Sequence, residues 1–430
     1  MGLRLGELCT RCIKPIGRNT AFNAKAKDSM KIENNAPVST WSPLAVPRFR
    51  AFWIGMSLST TAFWMQNIAV TWLMRDWTNG DPVMISLVQT ALFLPVMILS
   101  LPAGAIADMF DRRKFLIFSQ VWMMLSPLAV AAMALADLRS PAALLACTVL
   151  LAVGNAMKLP TQSAFLTSLI DKERLPFAVS LNSMAVNGGR IIGPALAGFL
   201  LPAIGAMALF LANSGIYLLY VGVLMRLQPT ATARTGDKPT LTQGLIDLKT
   251  WVHTSPSYAS ILLRGGLYFC VWSTVLAIVP LITKDAAEFG TLYGVFGLGA
   301  IVGASLYGFL SRVASRTTAV TGAILLHAGC IGLLSFVDSF ALLTIMMAVI
   351  GIASFFIMTT FQVSAQLQLP DALRGRGLAL MTTVFMGATA LSSPVWGFIA
   401  ETQSPQTALQ LASGFSILCG LALAQRKIEP

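Results

Sequence analysis

Apolar runs of about twenty residues recur along the chain, separated by short polar breaks. They fall near positions 49–74, 83–107, 114–136, 142–168, 175–201, 205–226, 258–283, 290–311, 317–336, 340–366, 376–400 and 406–424. Most are apolar on every side, the pattern of a helix whose surroundings are themselves apolar. A helix rises about 1.5 Å per residue, so each run spans a hydrocarbon core about 30 Å thick. The pattern predicts an all-α integral membrane protein with twelve transmembrane helices. A polar stretch, 227–257, divides the runs six and six, giving an N-terminal bundle (48–226), a connector and a C-terminal bundle (258–430). Residues 1–47 are polar and basic with Pro37, Pro43 and Pro47, and read as a disordered cytoplasmic tail in which Met30 is a second candidate start.

Composition agrees. Hydrophobic residues make up 56% of the chain and charged residues 11%, with a mean hydropathy of +0.72, against about 25% charged in soluble domains. The net charge of +12 raises the question of a nucleic-acid partner, but the basic residues follow the topology. Arg112 to Lys114, Arg174, the connector, Arg316, Arg374, Arg376, Arg426 and the tail share one side. The other side has Arg75, Arg139 and Lys284. The positive-inside rule then places both termini in the cytoplasm and the protein in the inner membrane as a multi-pass protein. Cys9 and Cys12 form a lone C-x-x-C in the tail, too little for a metal site.

The two halves repeat weakly. A shift of 200 residues superposes Asp171 on Asp371, Arg174 on Arg374 and Pro194 on Pro394; a shift of 204 superposes Gly104 on Gly308 and Arg112 on Arg316. Such pseudo-symmetry implies a solute site at the interface between halves, opened alternately to each side.

Three cations lie inside predicted spans: Lys158, Arg190 and Arg264. Each costs about 2.5–3.5 kcal/mol on insertion scales, so pairing or function must retain it. Arg190 is the strongest candidate to bind an anionic solute. Gln66, Asn67, Gln89 and Gln362 are amides in apolar runs, where helix–helix bonding competes with solute binding. The sequence has no phosphate loop G-x-x-x-x-G-K-[ST], and its two histidines, His253 and His327, stand apart without a nucleophile or metal cluster, which argues against an enzyme and against a cofactor.

Gly104-Ala-Ile-Ala-Asp108-Met-Phe-Asp111-Arg112-Arg113 follows the second run, and Gly189-Arg190-Ile-Ile-Gly193-Pro194 lies in the fifth. These segments resemble the major facilitator superfamily: its G-x-x-x-D-x-x-G-R-[RK] loop, with Asp111 in place of the second glycine, and its antiporter motif G-x-x-x-G-P. The aspartate variant is similar to the branch containing the bacterial enterobactin exporter. The resemblance implies a gating role for Gly104, Asp108, Asp111, Arg112, Arg113, Gly193 and Pro194. It also implies secondary active export of a small anionic or amphipathic molecule such as a siderophore, by a monomer working in the lipid bilayer. Lysophospholipid translocation and multidrug efflux are the alternatives on the same fold. The expected substrate-binding set is Arg190, Lys158, Gln66, Arg264 and Gln362. With few carboxylates in the spans, a coupling proton would have to ride on Asp108, His327 or the solute itself.

Overall fold

The computed structural model describes residues 41–171, 173–227, 241–313, 315–370 and 373–429, without the side chains of 101, 103–109, 241–247 and 311–313. The helices are α1 (Pro47–Trp77), α2 (Pro82–Met109), α3 (Arg112–Leu135), α4 (Pro141–Leu166), α5 (Leu175–Arg226), α6 (Leu241–Thr254), α7 (Pro256–Ile278), α8 (Ala286–Val313), α9 (Arg316–Leu334), α10 (Phe340–Gln368), α11 (Arg374–Thr402) and α12 (Pro405–Ala422).

Local chemistry sets the starts. Asp81, Asp111, Ser140, Ser315 and Ser404 each accept the N–H three residues on, satisfying a donor the first turn leaves free. Pro82, Pro141 and Pro405 begin their helices, where no N–H is required.

The expected fifth and sixth spans are the two helical arms of α5, which meet at Gly205, where the backbone leaves the helical region (φ 77°, ψ 166°). That conformation suits glycine alone, since a Cβ there would be strained. The chain reverses at this point. Leu181 in the first part accepts a hydrogen bond from Trp53 (2.8 Å), and Tyr220 in the second part packs on Gly55, so both parts meet the start of α1.

One expectation changes. The tail lies outside the described residues as far as 40, but its last residues are ordered: Ser42–Ala45 form a 3-10 turn with Pro43 buried, and α1 starts at Pro47. In the connector Leu241–Thr254 form a helix in which Leu248 is buried and the Trp251 ring meets that of Tyr258 (5.0 Å, tilted). Apolar residues at 248, 251 and 252 share one helical face, which docking on α7 covers.

Among the described residues nine helices are long and apolar enough to cross a bilayer, α5 counted once. Helices α1 and α12 lie outside that count by composition; in α1 the polar Ser59, Gln66 and Asn67 bond inward, to Gln120, Ser126 and Gln89. Phe199, Phe309, Phe398 and Leu418 are more than half exposed, the reverse of a soluble fold and suited to lipid.

Helix α1 packs on α5, α2 on α4, and α3 on α4 and α5. In the second set α7 packs on α11 and α12, α8 on α10, and α9 on α10 and α12. The sets meet along two seams, α2 with α11 and α5 with α8. In the second seam Gly198 and Gly290 touch backbone to backbone, leaving no room for a Cβ on either. Below, the end carrying Asp111 to Lys114 is the basic face and the end carrying Thr78 to Asp81 the far face.

Candidate functional site

Arg190 sits midway along the first part of α5. Gly193, three residues on, lies so close to α1 that a Cβ would stand 2.6 Å from Trp64 Cβ and 2.7 Å from the Thr61 carbonyl oxygen. This approach lays α5 on α1 and brings the Arg190 guanidinium over the Trp64 ring, 5.1 Å from its centroid. Across the seam one guanidinium nitrogen donates to Met358 Sδ at 3.2 Å, and Nε is buried with no acceptor. Among the described residues no carboxylate pairs with this cation. Arg190, Trp64 and Pro194 line one wall of a narrow cleft; Trp272, Tyr293 and Phe296 of the second set line the other.

Tyr268 of α7 lies near enough to feel the Arg190 charge and donates to Ser354 Oγ at 3.0 Å. Ser354, Met358 and Gln362 follow at four-residue spacing on one face of α10. Gln362, half buried, therefore stands one turn toward the basic face from the sulfur that meets Arg190.

Lys158 is 1% exposed in α4. Asn155 and Gln162, both buried, are three residues before and four after it, so the three form a polar stripe along α4. Gln162 Oε1 has no partner. No contact joins Lys158 to Arg190 among the described residues.

The structure places the remaining expected binding residues elsewhere. Gln66 donates to Ser126 Oγ at 2.9 Å, and Ser126 donates to the Cys147 carbonyl, a ladder joining α1, α3 and α4. Arg264, 2% exposed, donates to the Arg426 carbonyl (3.1 Å) and Thr321 Oγ1 (2.5 Å). It ties α7 and α9 to the segment after α12, where Glu429 caps the start of α9 and Ile428 is fully buried. Helical spacing alone did not show that this segment would fold back.

At the basic face Asp111 caps α3 through the Lys114 N–H (2.9 Å). Arg112 donates to the Ala164 carbonyl (3.1 Å) in the last turn of α4, and Arg113 to Leu224 (2.8 Å) and Met225 in the last turn of α5. Both arginines therefore meet helix C-termini, where carbonyls are free and the dipole is negative. The side chains of Gly104 and Asp108 lie outside the described residues.

A cluster on the far face escaped the sequence reading, which counted Arg75 only as a loop charge. Arg75 lies over Trp72 (4.5 Å) and donates across to the Thr283 carbonyl (2.6 Å), while Trp72 meets the Phe289 ring at 5.1 Å. Together with Ser393 donating to the Ser86 carbonyl (3.0 Å), these contacts shut the seam at that end. An arginine one turn from a tryptophan on the side poor in basic residues was the available signal.

The chain is similar to an enterobactin exporter of Shigella boydii (EntS; 25% identity over 383 residues, 86% of this chain and 89% of the relative). It is also similar to the multidrug efflux pump Tap of Mycolicibacterium fortuitum (24% identity, 78% of this chain and 84% of the relative). Among solved structures a D-xylose–proton symporter shares the fold with a TM-score of 0.70 at 15% identity, over 89% of this chain and 98% of that one. The family of transmembrane secretion effectors matches residues 38–429, and on that match the chain belongs to this family of the major facilitator superfamily.

Proposed function

We propose that the protein exports small organic anions that carry an aromatic or apolar part, by alternating access between two six-helix halves. The two parts of α5 count as separate spans, α6 lies outside the bilayer, and the basic face is cytoplasmic. The observation that carries this reading is Arg190: a half-buried cation at the seam, resting on Trp64 and a thioether, with no carboxylate among the described residues to neutralise it. A carboxylate or catecholate on the solute would complete its hydrogen bonds, and the aromatic cleft walls would take the ring. The exporter relatives support the direction. The far-face contacts of Arg75, Trp72 and Gly198 fit a state closed outward and ready to load from the cytoplasm. Arg112 and Arg113 gate the opposite end by holding the ends of α4 and α5.

The test is uptake of radiolabelled p-aminohippurate, an aromatic carboxylate, against ethidium, an aromatic cation, into inverted membrane vesicles. Wild type should accumulate the anion, and Arg190→Gln should not. Movement of ethidium alone would remove the anion reading. A second reading, efflux of apolar drugs or lipids, draws on the groove of Leu87, Leu94, Pro95, Ile98, Leu145 and Val149 between α2 and α4, which is apolar throughout. Ethidium transport insensitive to Arg190→Gln would favour it.

A further inference from the structure

We propose, resting on the anion-export reading, that export is driven by the membrane potential, with the anion crossing as net charge and no proton or cation in exchange. The sequence holds 18 Asp and Glu, and their places are telling. Asp76 and Glu401 stand in the last turns of α1 and α11, Asp108 in the last turn of α2, and Glu288 in the first turn of α8. Asp247 is in α6, and the others lie in the tail, the loops or the segment after α12. No span carries a carboxylate in its interior.

The charged or imidazole side chains inside the spans are Lys158, Arg190, Arg264 and His327. Arg264 is consumed by Thr321 and Arg426. His327 is fully buried, with both ring nitrogens unpartnered. Its ring lies edge-on to Tyr268 at 5.1 Å, and its neighbour Ala328 accepts a hydrogen bond from Ser413 of α12. On α7, Arg264 lies one turn before Tyr268.

The sign of charge decides what these groups can couple. Antiport requires a site that binds the proton and the cargo in competition. A carboxylate does this for cationic cargo, since it is neutral when protonated. Lys158 and His327 do the opposite: each becomes positive on protonation and so binds an anion better. A proton taken up there would travel with the anion, and the inward proton gradient of a bacterial membrane would then pull cargo in. With an anionic cargo and these residues, export gains nothing from protons. It gains directly from the potential, because a cell interior that is negative expels an anion.

Full-length protein reconstituted in liposomes tests this with radiolabelled p-aminohippurate and valinomycin-set potassium potentials at equal pH. Inside-positive vesicles should accumulate the univalent anion toward about tenfold for each 59 mV. A pH gradient with the potential clamped at zero should drive none. Accumulation that follows the pH gradient at zero potential overturns the proposal while leaving anion transport standing, and its loss in His327→Gln or Lys158→Gln would name the proton carrier. Absence of p-aminohippurate flux and counterflow in protein that moves ethidium overturns the proposal together with the anion reading.

Discussion

Two arginines inside the spans, Arg264 fully buried and Arg190 half-buried, meet opposite surroundings in this protein. Arg264 has oxygen acceptors on the end of α9 and on the returning C-terminal segment. Arg190 has a sulfur, an aromatic face and a narrow cleft. Each leaves its Nε without a partner, but the first gives its other nitrogens to oxygens within the fold, and in the reading proposed above the second keeps them for a ligand. In a span, the presence of a cation says less than the chemistry of what meets it.

That contrast can be broken in four ways. The largest effect is expected from Arg264→Ala, which leaves the Arg426 carbonyl and Thr321 without their donor and opens a cavity. It should cost about 3 kcal/mol, seen as a lower Tm in detergent, with transport per folded molecule unchanged. A lost transport activity at normal Tm would make Arg264 a cargo residue after all.

Next is Arg190→Gln. Removing a charge-assisted contact made only to cargo should lower kcat/KM for p-aminohippurate roughly 10–100-fold without lowering the Tm. A fall in Tm with KM intact would make Arg190 structural.

A smaller effect concerns pH at the Arg264 corner. Burial pushes the Glu429 carboxyl up, but hydrogen bonds from the Thr317 N–H and hydroxyl, the Arg316 N–H and Ser315 outweigh it and hold the carboxyl below its ordinary value. With a lowered folded value, the stabilisation is present above the ordinary glutamate range and lost as pH falls through the folded value. Protease protection of the C-terminal segment should therefore fall on acidification in wild type and be independent of pH in Glu429→Gln. Parallel pH curves for both proteins would refute the cap.

The smallest is Met358→Leu. The sulfur is a weak acceptor, so a volume-conserving replacement should change anion flux by less than about twofold. A loss approaching that of Arg190→Gln would mean the sulfur, not the cargo, positions the guanidinium.

The helices were legible because membrane burial imposes one simple rule on every span, and Gly189, Gly193 and Pro194 announced a tight crossing. Arg190 was legible as an intramembrane charge. Its partners were not, since Trp64, Tyr268 and Met358 are ordinary apolar-span residues until α5 is laid across α1 and α10. Met358 is the counterpart of Lys158 at the 200-residue shift, so the weak repeat held the position of Arg190's partner. Arg264 and Gln66, expected among the binding residues, have partners within the fold that the sequence did not show, for a related reason. Periodicity assigns a residue to a helix, but whether its polar end finds an oxygen depends on segments far along the chain, here Arg426 and Ser126. The helix in the connector was missed because fourteen residues, six of them apolar, are too short for a membrane-length pattern to detect.

The reversal at Gly205 bears on how the chain enters the bilayer during synthesis. With one residue at the bend, neither arm of α5 has a polar loop to rest beyond the membrane while the other is threaded. The arms must pass from the insertion channel to lipid as a ready-made hairpin, before α7 to α12 have been made. A bulkier residue at φ 77° would set that strained bend against a straight rod of 52 residues, about 78 Å long, which no bilayer accommodates. The cost of such a substitution would therefore fall on insertion, as chains degraded before they fold, rather than on the transport rate of those that succeed.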